Sequence, residues 1–382
     1  MRFLYIAPRC HNNQMSILKG LVERGHEVCF ISHYQGLTED YSYVKPVVLG
    51  YSSLYRMIDF LYVKVIRRKD PNAVIFKIRY GFPSRHKLKR LILDFRPDVV
   101  ILREKSVYSI MAYQICKKAG YPCILYNQSP LWSEPAKTDL MHRIADGMTP
   151  PVRITPVMGR QLPGTSRKAN DFFVPFVAEP QTAPEERDYL PGGIFRILCI
   201  GKFEVRKNHL MLLSVVERLH EKYPLHLMMI GETANPFHEE QLARVKEYIK
   251  THHMEDYAEI KTNLPRKDMD AEYAGADLFV IPSTGEPASV SQLEAMSFSL
   301  PVICSDKNGT ACYVEDGVTG YLFRDMDEAD LLKKLDRMLS EKDRIPEMGA
   351  AGYRAVMEKY GFDRYYDSVM KVLERIRKQQ GE

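Results

Sequence analysis

Long hydrophobic runs are missing from this sequence. A membrane-spanning helix needs about 18 or more uninterrupted apolar residues, and the longest candidate, 57–66, is interrupted by Asp59 and Lys64. We therefore expect no transmembrane helix. At the N-terminus, MRFLYIAPRC places a short apolar run directly after Arg2 and follows it with proline, arginine and cysteine. That pattern predicts a short buried strand rather than a signal peptide.

Paired cysteines are also missing. The chain has seven cysteines, an odd number, and no Cys-x-x-Cys pair, which argues against a zinc site and against a disulfide framework. Cys29, Cys199 and Cys304 lie inside apolar strand-like runs, where a reduced thiol packs as a small hydrophobic side chain. We therefore expect a cytoplasmic protein, with a peripheral position on the inner face of the membrane as the alternative.

The composition excludes several other classes of protein. Of the 382 residues, 45% are hydrophobic and 27% are charged, unlike the composition of disordered, collagen-like or coiled-coil chains. At roughly 150 residues per domain, this length suggests two or three domains. Residues 1–180 carry 27 Lys and Arg against 14 Asp and Glu, whereas the remainder carries 27 against 35. The basic first half favours anionic partners.

Short apolar runs alternate with helical patterns along the chain. The runs FLYIAP, EVCFIS, DVVIL and YPCILYN are separated by helical segments such as 13–23 and 106–118. This alternation predicts parallel strands with crossover helices. A segment at 179–193, rich in proline, glycine and charge, precedes a second series of the same kind.

We predict an α/β chain with two doubly wound, Rossmann-like domains that face each other across a cleft. The first domain spans 1–178, the linker 179–193 and the second domain 194–360. A final helix over 361–382, with apolar residues at helical spacing, is expected to pack back on the body. Ligands of open α/β sheets bind outside the carboxyl ends of the strands, so the cleft is the expected site.

The strongest local signal is the segment GEPASVSQLEAMSFSLPVICSD, which follows the apolar run DLFVIP. Glu286 lies in the predicted loop, and Glu294 lies eight positions later in a helix predicted to start near Ser289. N–H groups at a helix start favour a phosphate, and two carboxylates can accept hydrogen bonds from sugar or ribose hydroxyls. The alternative is a capping box, formed by Ser289 with Gln292 or by Ser291 with Glu294.

The second signal is GKFEVRKNHL, which directly follows the apolar run RILCI. Gly201 predicts a turn at the carboxyl end of a strand, and Lys202, Arg206 and Lys207 place three cations beside that turn. Such a loop suits a diphosphate, for which lysine acts as a mobile point charge. The alternative is an ordinary solvent-exposed basic loop.

Taken together, these segments resemble the second domain of the retaining GT-B glycosyltransferases, in particular glycosyltransferase family 4. The resemblance covers roughly 194–345 in the same order: the glycine-lysine loop, LHLMMIGE, the two glutamates eight positions apart, and VEDGVTGYLF. It implies a hexosyltransferase that moves a sugar from a nucleoside diphosphate to an acceptor hydroxyl with retention. A UDP-sugar is favoured over a GDP-sugar as co-substrate, and no cofactor or essential metal is implied.

The resemblance also implies roles for individual residues. Glu286 would contact the hydroxyls of the donor sugar, and Glu294 the ribose. Lys202 and Lys207 would bind the diphosphate and stabilise its charge as it departs. The other implied donor-binding positions fall into three groups. Gly201 is the turn glycine, and the nucleobase pocket comprises Gly231, Glu232 and Leu264. The loop with backbone amides comprises Ala288, Ser289 and Val290.

The sequence departs from the family pattern in several places. Lys202 stands where the family usually has arginine, and Pro287 begins a replacement of the frequent Gly-Phe-Gly. In the first domain, PRCHNNQ replaces a glycine-rich loop, and Asn127 or Gln128 stands where a histidine is often found. These departures leave the acceptor-side residues open.

Two Asp-x-Asp sequences, at Asp268 and Asp270 and at Asp325 and Asp327, resemble metal-binding motifs. Both precede helical patterns, where aspartates cap the helix and suit its dipole. We therefore favour capping and expect no metal site.

The region 51–70 has Leu54, Ile58, Leu61 and Val65 at helical spacing and ends in a basic cluster. More cations follow directly: Lys77, Arg79, Arg85, Lys87, Lys89 and Arg90. This region suits an anionic membrane that carries a lipid-linked or glycan acceptor. The competing interpretation, favoured on spacing alone, is an amphipathic helix packed on the first domain. We expect no nucleic-acid partner.

Two other functions fit the same architecture. A nucleotide-sugar epimerase would act on the donor without any acceptor, and a non-catalytic binding protein would keep the donor site without turnover. The sequence does not distinguish the sugar, the base or the acceptor.

Overall fold

The computed structural model of the chain divides into two compact units, Met1–Val177 with Tyr365–Glu382, and Ala178–Arg364. The residues that it describes are 1–36, 41–62, 73–104, 106–133 and 152–380. Each unit is built on one parallel β-sheet flanked by helices. Within these described ranges, no helix is both long and apolar enough to cross a membrane.

The first unit contains a seven-stranded parallel sheet with the strand order β3-β2-β1-β4-β5-β6-β7. The strands are β1 Arg2–Ala7, β2 Glu27–Ser32, β3 Val47–Val48, β4 Val99–Arg103, β5 Cys123–Tyr126, β6 Val152–Thr155 and β7 Asp171–Phe173. The helices are α1 Met15–Glu23, α2 Ser53–Leu61, α3 Ala73–Tyr80, α4 Arg85–Phe95 and α5 Val107–Lys118. Buried strand residues such as Leu4 and Val100 form one core with Leu88 of α4 and Tyr108 of α5.

The second unit contains a six-stranded parallel sheet with the order β10-β9-β8-β11-β12-β13. The strands are β8 Phe195–Ile200, β9 Leu225–Gly231, β10 Ala258–Thr262, β11 Leu278–Ile281, β12 Val302–Ser305 and β13 Gly320–Phe323. The helices are α6 His209–His220, α7 Pro236–Thr251, α8 Arg266–Gly275, α9 Ser291–Ser297, α10 Glu328–Ser340 and α11 Arg344–Lys359. The strand order reverses between β8 and β11, which is where doubly wound sheets leave a crevice for a ligand.

The segment 179–193, which the sequence favours as a linker, belongs to the second unit. Arg187 donates a hydrogen bond to the backbone carbonyl of Phe298 at 3.0 Å. The hydroxyl of Tyr189 donates to the carbonyl of Ser299 at 2.7 Å. Polar side chains therefore hold this segment on the unit, although it has few apolar residues to bury.

The last helix, α12 Phe362–Gln380, begins in the second unit and belongs to the first unit from Tyr365 onward. The hydroxyl oxygens of Tyr365 and Tyr5 lie 3.2 Å apart, and Val369 and Leu373 are buried. The prediction of a final helix packed back on the body is confirmed, and so is the α/β architecture with two parallel sheets.

Candidate functional site

The predicted site residues of the second unit lie at the carboxyl ends of its strands. Residues 201–207 follow β8, and 231–232 end or follow β9. Leu264 follows β10, and the loop 282–290 follows β11. Because the strands are parallel, all of these segments lie at one edge of the sheet. The loops after β8 and β11 flank the reversal of strand order, where the crevice is expected.

Glu286 forms a buried ion-pair cluster at this reversal. Its side chain is only 7% exposed, and its Oε2 atom contacts both Nζ of Lys207 and Nη1 of Arg206. The Nε atom of Arg206 also lies 2.6 Å from Oε2 of Glu204. The backbone N–H of Thr284 donates to the carbonyl of Arg206 at 2.8 Å. The two loops are therefore tied together through backbone as well as side chains.

The two cations keep Glu286 ionised. Burial raises the pKa of this carboxyl group, but the charges and hydrogen bonds of Lys207 and Arg206 outweigh the burial, and the resulting pKa lies below its ordinary value. Lys207 is itself 7% exposed, so its charge is held away from bulk water, where electrostatic interactions are stronger. The cluster thus presents fixed charges of both signs.

Two glycines leave the space that this arrangement needs. A Cβ atom at Gly201 would lie 3.1 Å from Cδ and 3.2 Å from Cε of Lys207, so the lysine side chain runs across the glycine. A Cβ atom at Gly231 would overlap the carbonyl oxygen of Gly201 and lie 2.6 Å from the ring of Phe203. The ends of β8 and β9 can approach this closely because neither position carries a side chain.

A buried polar network holds the loop that carries Glu286. The side-chain amide of Asn308 donates to Oε1 of Gln292 at 3.1 Å, and the hydroxyl of Thr310 donates to the carbonyl of Ser289 at 2.8 Å. Gln292 and Thr310 are almost fully buried. Buried polar groups that are hydrogen-bonded in this way fix one conformation of the loop.

The same loop has backbone donors without partners. Among the residues that the structure describes, the N–H groups of Ala288, Ser289 and Val290 donate no hydrogen bond. The short helix α9 follows directly, and no side chain caps it. The capping-box interpretation of Glu294 is therefore wrong, because its carboxylate is directed to other partners.

The two carboxylate oxygens of Glu294 differ in their partners. Its Oε2 atom accepts a hydrogen bond from the hydroxyl of Tyr273 at 2.8 Å, and its Oε1 atom lies 3.6 Å from Nη2 of Arg266. Tyr273 is fully buried, and burial, reinforced by the charge of Glu294, raises the pKa of its hydroxyl well above the ordinary value. Tyr273 therefore stays a hydrogen-bond donor, while the Glu294 side chain remains 27% exposed.

The predicted nucleobase-side residues lie on neighbouring strand ends. Nζ of Lys202 is 3.1 Å from Oε2 of Glu232, and the two side chains are 38% and 35% exposed. Leu264 is half-buried, and the side-chain oxygen of the adjacent Asn263 accepts the backbone N–H of Thr233 at 2.9 Å. The ion pair between Lys202 and Glu232 had no signal in the sequence.

Sequence reasoning missed Arg266 and Tyr273 and gave Arg206 only a general role as a cation. Arg266 and Tyr273 belong to no motif. They lie seven positions apart on α8, about two helical turns, so they share one helix face. Their common partner, Glu294, is the signal that identifies them, and it exists only in the folded chain.

Within the described part of the chain, no group of three His, Cys, Asp or Glu side chains could hold a metal ion. Three of the four aspartates in the two Asp-x-Asp sequences contact protein groups instead. The capping prediction is wrong for Asp268 and Asp270, because both lie inside α8 and no side chain caps that helix. Asp327 accepts a backbone N–H in the first turn of α10 at 2.9 Å and caps that helix, as predicted. Asp325 accepts the hydroxyl of Thr284 at 2.8 Å, and Asp270 lies 3.3 Å from Arg266.

In the first unit, Asn127 and Gln128 both belong to side-chain networks at the strand ends. The amide nitrogen of Asn127 donates to Oε2 of Glu104 at 2.7 Å. Oε1 of Gln128 accepts from Arg103 at 2.9 Å. Glu104 also pairs with Arg153 at 2.7 Å, and both of these side chains are nearly buried. Neither amide stands out as the replacement for the histidine of the family.

Residues 186–355 match the protein family described as "Glycosyl transferases group 1". The matched region contains the loop after β8, the buried Glu286 cluster and Glu294. The resemblance stated from the sequence is thereby confirmed.

Two curated relatives differ in how much of each protein aligns. Spore coat protein SA of Bacillus subtilis is 24% identical over 188 residues, which is 47% of this chain and 49% of that protein. Sulfoquinovosyl transferase of Arabidopsis thaliana is 24% identical over 387 residues, covering 91% of this chain and 67% of that protein. The chain therefore spans about half the length of the first relative and about two thirds of the second.

A solved structure matches nearly the whole chain. HepE of Anabaena, determined in complex with UDP and glucose, aligns with a TM-score of 0.72 and 13% sequence identity. The alignment covers 98% of this chain and 100% of that one. At this identity the likeness shows the fold, and it confirms the predicted two-domain architecture.

Proposed function

We propose, from the group 1 glycosyltransferase domain that this chain carries at 186–355, that the protein transfers a sugar from a nucleoside-diphosphate sugar to an acceptor hydroxyl with retention of anomeric configuration. The observation that carries this proposal is the buried cluster of Glu286 with Lys207 and Arg206 at the reversal of the second sheet. Glu294, with its partly exposed carboxylate, supplies the second binding group.

Glu286 is proposed to orient the donor sugar. A buried carboxylate accepts strong hydrogen bonds from hydroxyl groups, and Lys207 and Arg206 keep this one ionised. Both cations contact Oε2, so Oε1 is the oxygen that we assign to a sugar hydroxyl. A fixed acceptor of this kind sets the direction of the ring relative to the diphosphate.

Lys207 and Lys202 are proposed to stabilise the diphosphate as the bond to the sugar breaks. Lys207 is already fixed by Glu286, whereas Lys202 would exchange its half-exposed partner Glu232 for the phosphate. The free N–H groups of Ala288 to Val290 add preorganised donors. Donors aimed at developing negative charge lower the barrier most when they are in place before the reaction.

Glu294 is proposed to bind the ribose. Its Oε2 atom is occupied by Tyr273, and Arg266 lies too far from Oε1 for a short hydrogen bond. Oε1 can therefore accept a ribose hydroxyl while Tyr273 and Arg266 hold the carboxylate in position. Arg266 and Tyr273 are positioning residues in this account.

Retention is proposed to follow from front-face displacement. The bond between the anomeric carbon and the diphosphate oxygen breaks, and the acceptor oxygen forms its new bond on the same face of the ring. The departing diphosphate accepts the proton of the acceptor hydroxyl, so no protein nucleophile or added metal is needed for the proton and electron balance. The positive charges of Lys202 and Lys207 support that departure.

UDP is proposed as the nucleotide, and a glycan or lipid-linked hydroxyl as the acceptor. The support for UDP is that HepE, which shares the fold, was solved with UDP and glucose bound. The support for an acceptor at the cell envelope is the basic first half of the chain, with 27 Lys and Arg against 14 Asp and Glu.

Thermal unfolding in the presence of UDP, GDP or ADP, or of their common nucleotide sugars, tests this proposal. A ligand that binds only the folded chain stabilises it by about 2.7 kcal/mol at a concentration of 100 Kd. We expect the largest shift with UDP or one UDP-sugar, followed by release of UDP when an acceptor is added. Conversion of the UDP-sugar into an epimer would indicate an epimerase, and binding without transfer or hydrolysis would indicate a non-catalytic protein.

A further inference from the structure

Helix α2 exposes its apolar side chains to solvent. Leu54, Met57, Ile58, Phe60 and Leu61 are between 41% and 57% exposed. Four of them share one face of the helix because they recur at helical spacing: Leu54, Met57, Ile58 and Leu61. The interpretation that this helix packs its apolar spacing on the first unit is therefore wrong for 53–61; Val65 and the basic cluster after it lie outside the described residues.

The opposite side anchors the helix. Tyr55 is its buried side chain, and the ring of Tyr55 lies 5.5 Å from that of Phe82. The backbone N–H of Ser52 donates to the carbonyl of Phe82 at 2.9 Å, and the Ser52 hydroxyl caps the helix. The apolar face is thus held outward by specific contacts and is not a frayed end.

The segments that follow α2 in the chain are strongly basic. Helix α4 begins three residues after Phe82, and its buried residues Leu88 and Ile92 leave the basic side chains exposed. The described residues of 51–62 and 73–96 include eight Lys and Arg against two acids. These are Arg56, Lys77, Arg79, Arg85, Lys87, Lys89, Arg90 and Arg96 against Asp59 and Asp94.

We propose that the exposed face of α2, together with the basic side of α4, docks on an anionic lipid surface. Apolar side chains enter the boundary between headgroups and acyl chains, while lysines and arginines meet the phosphate groups. A second copy of this chain is disfavoured as the occupant, because it would bring the same excess of positive charge against this one. The inference does not depend on which sugar the second unit binds.

Vesicle sedimentation of the full chain tests the docking. We expect binding to vesicles that mix phosphatidylcholine with phosphatidylglycerol, little binding to phosphatidylcholine alone, and weaker binding as salt is raised. Met57→Ser with Phe60→Ser should lower the affinity for the mixed vesicles by about 10- to 100-fold. Lys87→Gln with Lys89→Gln should lower it by about 10-fold.

Matched controls come from the second unit. Met357 and Phe237 are 56% and 58% exposed, as Met57 and Phe60 are 57% and 55% exposed, so Met357→Ser with Phe237→Ser removes equal apolar surface elsewhere. Lys246→Gln with Lys250→Gln is the control for charge. Both controls should bind vesicles as the unchanged protein does, and all variants should keep the same unfolding temperature and UDP affinity.

Three results would overturn the docking surface. The first is that the unchanged protein does not bind anionic vesicles. The second is that the test and control pairs lose vesicle binding equally. The third is a dimer in sedimentation velocity that Met57→Ser with Phe60→Ser converts to a monomer, which would make this face a protein interface. UDP affinity is measured on the same samples, so failure of docking is separable from failure of the proposed sugar transfer.

Discussion

Glu286 owes its ionised state to two cations on the neighbouring loop. Its pKa is raised by burial but brought below the ordinary glutamate value by Lys207 and Arg206. A carboxyl group whose pKa is lowered by folding stabilises the folded chain at pH values above its ordinary pKa. This contribution is lost as pH falls through the lowered pKa. The loss of stability at acid pH should therefore include a contribution from this side chain.

Glu286→Gln tests this pH dependence. The substitution leaves the buried Lys207 without its full counter-charge, so we expect a loss of about 3–5 kcal/mol in the free energy of unfolding at pH 7. The difference from the unchanged protein should shrink as pH falls through the lowered pKa of Glu286, because the carboxyl group is progressively protonated there. Urea unfolding at pH 7, 5 and 3 measures it, with the exposed Glu255→Gln as control. A difference that stays constant across this range would contradict the pairing.

Glu294 combines a structural contact with the proposed ribose contact, and two substitutions separate them. Glu294→Ala leaves the buried Tyr273 hydroxyl with only the distant Ser291 carbonyl, at 3.4 Å, as acceptor, which should cost about 1–3 kcal/mol of stability as well as nucleotide affinity. Glu294→Gln keeps an oxygen acceptor for Tyr273, so it should unfold near the unchanged temperature yet bind UDP about 10-fold more weakly. Unchanged UDP affinity in both variants would leave Glu294 with a structural role alone.

At the scale of elements, the ends of β8 and β9 lie so close together that position 231 has no room for a side chain. Gly231→Ala should destabilise the chain by about 1–3 kcal/mol, because its Cβ atom meets the Gly201 carbonyl and the Phe203 ring. Gly275→Ala is the control, since nothing lies within 4 Å of its Cβ position and alanine favours a helix by up to about 1 kcal/mol. Urea unfolding compares the two; equal stability would contradict the close approach of the strands.

The elements that the sequence predicted best are those with continuous apolar runs. β1, β2, β4, β5, β8, β9, β11 and β12 coincide with such runs because parallel strands are buried on both faces. β3 and β7 have two and three residues, which is too short for a periodic signal, and the short run of β6 is interrupted by Arg153. α4 was missed because its basic side chains hide the two buried positions, Leu88 and Ile92.

The candidate site was predictable where it depends on local motifs. The spacing of Glu286 and Glu294, and the glycine-lysine loop, lie within short segments that the sequence displays. Arg266 and Tyr273 reach Glu294 from another helix, and the pairing of Lys202 with Glu232 joins two strand ends. Such contacts between distant segments leave no pattern in a single sequence.

At the scale of the whole molecule, the proposed anion-binding donor site lies in the half of the chain that has a net negative charge. Residues 1–180 carry the excess of Lys and Arg, whereas the remainder, which holds the proposed diphosphate site, has 27 Lys and Arg against 35 acids. The proposed anion site therefore depends on the local placement of Lys202, Arg206 and Lys207. The overall charge of a domain indicates long-range attraction but does not locate a binding site.

Hydrogen exchange across the whole chain should map the donor site in one experiment. Saturating UDP should slow amide exchange in 201–207, 231–233 and 286–294, because binding stabilises the conformations that hold the ligand. The last two turns of helix α7, residues 244–251, serve as an internal reference that should not change. Protection that falls outside these three segments would place the nucleotide elsewhere.

A calorimetric titration of UDP into the unchanged protein and Lys207→Gln tests the central claim most directly. Exposed Lys246→Gln serves as the control. The account predicts that UDP binds the unchanged protein and Lys246→Gln equally, and that Lys207→Gln binds at least 10-fold more weakly, a difference of about 1.4 kcal/mol. Equal UDP affinity in all three proteins, or no binding of any nucleoside diphosphate by the unchanged chain, would contradict it.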